Sequence, residues 1–138
     1  MNQIIRLTEG SLGGKGRGLA FLNALLCTMD YENKFENISI SLPSTAIIGT
    51  VEFDNFIDNN QIIEKISGKT DEEIDAIFVE GRLSDTLVER LEIYLDHIHY
   101  PIAVRSSSLL EDSQAQPLAG VYRTFMLPNN HVDNLFRL

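Results

Sequence analysis

PIAVRSSSLLEDSQAQPLAGVYRTFMLP, residues 101–128, is the stretch around which the other segments of this 138-residue chain fall into place. Two runs rich in β-branched and aromatic residues, IAVR and GVYRTFML, flank a polar loop, and such runs suit a pleated, half-covered surface. Arg105 closes the first run. Ser106, Ser107 and Ser108 follow it, and then the acidic pair Glu111 and Asp112. Strand ends in mixed sheets are common ligand sites, and a guanidinium fork suits bidentate contact with phosphate. The same residues also fit a loop pinned by Arg105 against Glu111 or Asp112, with the serines as turn and cap residues. The two roles are compatible. Adjacent carboxylates do not aim at one point, so Glu111 and Asp112 make a poor acid–base pair.

Upstream of this stretch the chain reads as helical. Thr70-Asp71-Glu72-Glu73 has the form of a capping box, a hydroxyl followed three residues later by a glutamate. The helix it opens carries Ile74, Ile77 and Phe78 on its apolar side and stops at Gly81. Ser84 caps the next helix, in which Leu87, Leu91, Tyr94, Leu95 and Ile98 recur at amphipathic spacing. Before these, ISISLPSTAIIGT reads as a strand interrupted at Pro43. Thr50 is placed to cap a short helix, VEFDNFIDN, and QIIEKISG is a short amphipathic piece closed by Gly68. Beyond Pro128, NNHVDNLFRL reads as the start of a further helix, and Leu135, Phe136 and Leu138 arrive as the sequence ends. That suggests an interrupted element, and a longer polypeptide is expected.

The N-terminal part holds the second concentration of unusual residues. QIIRL is a short strand or arm, followed by EGSLGGKGRG, in which Gly10, Gly13, Gly14 and Gly16 permit positive φ and close approach. GLAFLNALLC then reads as a helix apolar on nearly every face and therefore well buried, with Cys27 as a small buried hydrophobe. Glycines ahead of a helix leave N–H groups pointing outward, and the helix dipole adds positive potential, so Lys15 can hold phosphate there as a point charge. The spacing is not that of a Walker A loop: Gly10 lies five residues before Lys15, and Gly16 stands where a Ser or Thr would bind magnesium. A solvated lysine on a glycine-rich turn is the alternative.

Composition narrows the classes. The length fits one domain, and hydrophobic content of 43% with 22% charged residues is that of a soluble globular protein. A net charge of −9 argues against nucleic acid as a partner. The single cysteine excludes an internal disulfide and points to the cytoplasm. No apolar run has the length of a membrane span, so no membrane partner is expected. His97, His99 and His131 have no spacing that makes a metal site.

Three blocks, GGKGRGL, PSTAIIGTVEFDNFI and AVRSSSLLEDSQAQPLAGVYRTFMLPN, taken in this order, resemble the N-terminal nucleotide-binding region of the phosphoenolpyruvate synthase and pyruvate phosphate dikinase family. The third block is the specific one. Two positions depart from the family pattern: Thr45 stands where its strand usually has glycine, and Leu118 replaces the usual phenylalanine before Ala119-Gly120. The resemblance implies an α+β fold, the first subdomain of an ATP-grasp module with a mixed sheet and flanking helices. It implies ATP as the bound nucleotide, with magnesium held by residues without a match in this chain. The activity implied is phosphoryl transfer to pyruvate through a phosphohistidine. Lys15 and Arg105 match the residues that contact ATP phosphates, Ser106 and Ser107 the strand-end serines, and Gly120 the glycine of a mobile loop near the phosphates. Further domains of the same polypeptide are the expected partners, homo-oligomerisation is possible, and the 138-residue chain alone is expected to be inactive. A non-catalytic module that keeps the fold to bind a nucleotide or a protein is the other reading.

Overall fold

A computed structural model describes residues 4–29, 37–109, 122–133 and 136–137. The fold is α+β. Strand β1 (Ile4–Arg6) leads to helix α1 (Gly13–Thr28), then β2 (Thr45–Ile47), helices α2 (Thr50–Asn59), α3 (Ile62–Ile66), α4 (Asp71–Glu80) and α5 (Asp85–His97), and strands β3 (Ile102–Arg105) and β4 (Thr124–Leu127). Among the described residues the strands form two pairs. β1 and β2 run parallel, with Ile4 opposite Thr45 and Arg6 opposite Ile47. β3 and β4 run antiparallel, with Ile102 opposite Leu127 and Arg105 opposite Thr124.

The helix boundaries follow local chemistry. Thr70 accepts from the Glu73 N–H while the Glu73 carboxylate accepts from the Thr70 N–H at 2.9 Å, completing the capping box of α4. Ser84 Oγ accepts from the Leu87 N–H at 3.2 Å and starts α5. α2 departs from expectation. Gly49, with φ −79° and ψ 165°, is its N-cap, and the Thr50 hydroxyl accepts instead from the Ser11 N–H at 3.0 Å. The long strand expected over ISISLPSTAIIGT contracts to Thr45–Ile47. Pro43, lacking an N–H, stands just ahead of the paired segment.

Among the described residues, the buried apolar side chains are Leu7, Ile47, Ile62, Leu87 and Leu95. Polar ties bind the helices to the strand exits. Glu52, buried on α2, accepts from the Ser84 N–H at 3.4 Å. Arg90 on α5 donates to the Leu7 carbonyl just past β1. Asn60 donates to the carbonyls of Phe56 and Arg82 and accepts from the Arg82 N–H at 2.8 Å, joining the end of α2 to the turn before α5.

The C-terminal region also ties back to the end of α5. Residues 129–133 are not helical, and Phe136 lies in a 3-10 turn. Asn129 is buried and donates to the carbonyls of Ile98 at 2.8 Å and Tyr100 at 3.0 Å. Arg137 donates through Nε to Asn129 Oδ1 at 2.8 Å and through Nη2 to the carbonyls of Leu95 and Ile98. The two side chains satisfy the open carbonyls at the end of α5, which helix geometry leaves without intrahelical partners.

α1 corrects a further expectation. Only Gly13 and Gly16 of this helix are buried; Phe21 is 69% exposed, and Leu22, Leu25, Cys27 and Met29 are exposed as well. The described sheets are two strands wide. An apolar sequence shows that a helix suits burial, but not which surface supplies the cover.

Candidate functional site

Three strand exits meet at the glycine turn. The chain leaving β1 passes through Thr8, Glu9 and Gly10 before α1 begins. Thr8, itself buried, accepts at its hydroxyl from the Gly49 N–H at 2.7 Å, which ties this segment to the exit of β2. Ser11 completes the tie: its N–H donates to Thr50 Oγ1, and its carbonyl accepts from the Thr50 N–H at 3.2 Å. Glycine is required by space at this crossing, because a Cβ on Gly49 would lie 2.0 Å from the Glu9 carbonyl oxygen.

The exit of β3 joins from the other side. The Ser107 carbonyl accepts from the Gly14 N–H at 2.9 Å. The Ser107 hydroxyl accepts from the Gly16 N–H at 3.0 Å and donates to the Leu12 carbonyl at 2.7 Å. Gly13 clears the way: its φ is +70°, and a Cβ there would sit 1.8 Å from the Ser107 oxygen. Ile47 packs beneath, with its Cδ1 3.2 Å from the position a Cβ on Gly16 would take.

The fold bonds directly the two segments that the sequence singled out. Lys15 stands between two residues held by Ser107, half-buried in the first turn of α1. Arg105 stands two residues before Ser107, at the end of β3 and opposite Thr124. Ser106 accepts at its hydroxyl from the Ser108 N–H at 3.0 Å and keeps its own proton to donate. Gly120, together with Glu111 and Asp112, lies outside the described residues.

One expected feature is occupied differently. The N–H groups of the glycine turn do not face outward as an anion cradle. Gly13 donates to Ser11 Oγ at 3.3 Å, and Gly14 and Gly16 donate to Ser107. The turn is capped by a serine 91 residues away in sequence. The N–H groups of Gly13, Gly14 and Gly16 are thus taken within the protein.

Sequence reading passed over Thr8, Gly49 and the paired Thr50–Ser11 contact. A signal for them is present in retrospect: IIGT repeats after β2 the order of strand, glycine and helix that LTEGSLGG shows after β1.

No group of three or more His, Cys, Asp or Glu side chains comes together as a metal site among the described residues. Among them, too, no helix is long and apolar enough to cross a membrane. An open apolar groove of about 490 Å³ runs between α2, α3 and α4, lined by Phe53, Ile57, Ile62 and Phe78 among others, and shares no residue with the glycine turn.

Comparison with known families gives one match. The model of the pyruvate phosphate dikinase AMP/ATP-binding domain matches residues 9–137. No curated protein and no solved structure matched the chain.

Proposed function

The chain belongs to the pyruvate phosphate dikinase AMP/ATP-binding domain family, and on that footing we propose that the meeting point of the glycine turn and the β3 exit is the phosphate-holding wall of its nucleotide site. In this reading the domain is the first part of an ATP-grasp module in a cytoplasmic phosphotransferase. Lys15 and Arg105 hold the phosphates of ATP, and Ser106 donates its hydroxyl proton to a phosphate oxygen. Gly120 belongs to a loop near the same phosphates.

The observation that carries this is the direct bonding of Ser107 to Gly14 and Gly16. It fixes the segment bearing Arg105 against the segment bearing Lys15, although 90 positions separate the two cations in sequence. Ligands in open mixed sheets bind at the carboxyl ends of strands, and here the ends of β1, β2 and β3 meet. Phosphoryl transfer asks a protein mainly for positioning and charge neutralisation. A lysine acts as a compact point charge and an arginine as a planar fork. Together they oppose the negative charge that develops on the phosphoryl oxygens. In the family, transfer runs from ATP through a phosphohistidine to pyruvate. The 138-residue chain by itself binds nucleotide weakly in this reading and transfers no phosphoryl group; ATP-dependent production of AMP by the purified chain overturns that part.

Isothermal titration of ATP into wild type, Lys15→Ala and Arg105→Ala tests the site. A hydrogen bond to a charged group contributes about 1.5–3 kcal/mol, so each substitution is expected to weaken ATP by a factor of about 10 to 100. Unchanged affinity in the double variant overturns the assignment and favours a module that keeps the fold for another partner.

A further inference from the structure

We infer that the Ser107 side chain positions Lys15 rather than donating to the nucleotide, an inference that rests on the phosphate reading of Lys15 given above. A phosphate oxygen needs donors, and a serine hydroxyl has one proton to give. Ser107 gives that proton to the Leu12 carbonyl at 2.7 Å and accepts at the same oxygen from the Gly16 N–H. Its carbonyl is taken by the Gly14 N–H at 2.9 Å. The Ser107 hydroxyl therefore has no proton left to donate to an anion. Ser106, its neighbour, differs on this one point, since its hydroxyl accepts from the Ser108 N–H and retains its proton.

The bonds of Ser107 bracket a single side chain. They fall on residues 12, 14 and 16, on both sides of Lys15. The hydroxyl bridges the carbonyl before the first turn of α1 to an N–H within that turn, so it sets the rotation of the turn about the helix axis and with it the direction in which Lys15 leaves the backbone. Because Ser107 follows Arg105 by two residues, the same contact fixes the spacing of the two cations' backbones. Loss of the hydroxyl removes two of the three bonds and leaves the carbonyl contact, which loosens Lys15 without unseating β3.

The test is a double-substitution cycle on the full chain, with ATP and adenosine as probes. Ser107→Ala is expected to weaken ATP about 5- to 10-fold and to leave adenosine within about twofold, with the effect on ATP shrinking below about twofold in a Lys15→Ala background. Ser107→Thr, which keeps the hydroxyl, is expected to restore ATP affinity to within about twofold of wild type. Should Ser107→Ala fail to fold, Ser107→Cys, with its weak S–H donor, carries the same comparison. Three results overturn the inference: additive effects of the two substitutions, which indicate an independent contact; equal loss of ATP and adenosine, which indicates general damage; or a Thr variant as weak as the Ala variant. If Lys15→Ala alone leaves ATP affinity unchanged, the phosphate reading of Lys15 fails and takes this inference with it. That result is distinct from additivity, in which Lys15→Ala does weaken binding.

Discussion

Replacing Gly13 by alanine strikes the junction that holds the two cation-bearing segments together. The added Cβ would lie 1.8 Å from the Ser107 carbonyl oxygen and 2.6 Å from its hydroxyl, closer than any real contact allows. The hydroxyl could rotate away, but the nearest atom is a backbone carbonyl oxygen, which cannot. The β3 exit must move off the turn, and three hydrogen bonds go with it: Gly14 N–H to the Ser107 carbonyl, Gly16 N–H to the Ser107 hydroxyl, and that hydroxyl to the Leu12 carbonyl. At about 1 kcal/mol each these contribute roughly 3 kcal/mol. Holding an alanine at φ +70° adds about 1 kcal/mol. A loss of about 4 kcal/mol is a large share of the roughly 5–15 kcal/mol that keeps a domain folded.

Gly18 supplies an internal control five residues along the same helix. A Cβ there meets nothing within 4 Å, and exchanging a helical glycine for alanine stabilises by about 1 kcal/mol. In urea unfolding followed by circular dichroism, with a denaturant slope of about 2 kcal/mol/M, Gly13→Ala is expected to lower the midpoint by about 2 M and Gly18→Ala to raise it by about 0.5 M. Equal shifts of the same sign in the two variants refute the view that Gly13 is kept for the approach of Ser107.

Two further outcomes follow from other parts of the fold. Asn129→Ala removes the donors to the Ile98 and Tyr100 carbonyls and the acceptor for Arg137; a loss of about 2–3 kcal/mol in the same unfolding assay is expected, and a change below about 0.5 kcal/mol contradicts the capping role of this side chain. At α4, the hydrogen bond from Lys69, and then that from the Thr70 N–H, hold the Glu73 carboxyl below the ordinary glutamate range. A depressed folded-state value stabilises the fold above the unfolded value and is lost as pH falls through the folded one. Carbon-detected NMR titration is therefore expected to find Glu73 protonating at lower pH than a model peptide, and Lys69→Ala to move it upward; a titration at the model-peptide position removes the link.

How far the sequence reveals the fold depends on the range of the interactions. The caps at Thr70 and Ser84 are legible because each is written within four residues: a hydroxyl, a turn's spacing and an acceptor or donor in place. The strands on either side of the serine loop are legible because β-branched and aromatic residues announce them. Gly13 and Lys15 stand out by composition, yet what glycine is for at 13 cannot be seen without Ser107, whose approach closes a gap of more than 90 residues. The same limit hides the use of Ser107's hydroxyl. From sequence it looks like a phosphate donor, and in the fold its proton is already committed to Leu12. α1 misleads for another reason. Its apolar surface is a local property, but burial belongs to whatever packs against it, and Phe21 remains open among the described residues. Arg137 and Asn129 sit in a stretch with helical composition, and long-range contacts with the end of α5 use them otherwise.

The central claim is that phosphate binds where the exits of β1, β2 and β3 meet. Titrating ATP into the ¹⁵N-labelled chain and following amide shifts tests it residue by residue, and suits weak binding. The account predicts ATP-dependent shifts concentrated at Gly14–Arg17 and Val104–Ser108 that adenosine does not reproduce, with α4 and the groove around Phe53 and Ile63 unmoved. Shifts centred on that groove, or identical responses to ATP and adenosine at Lys15 and Arg105, contradict it.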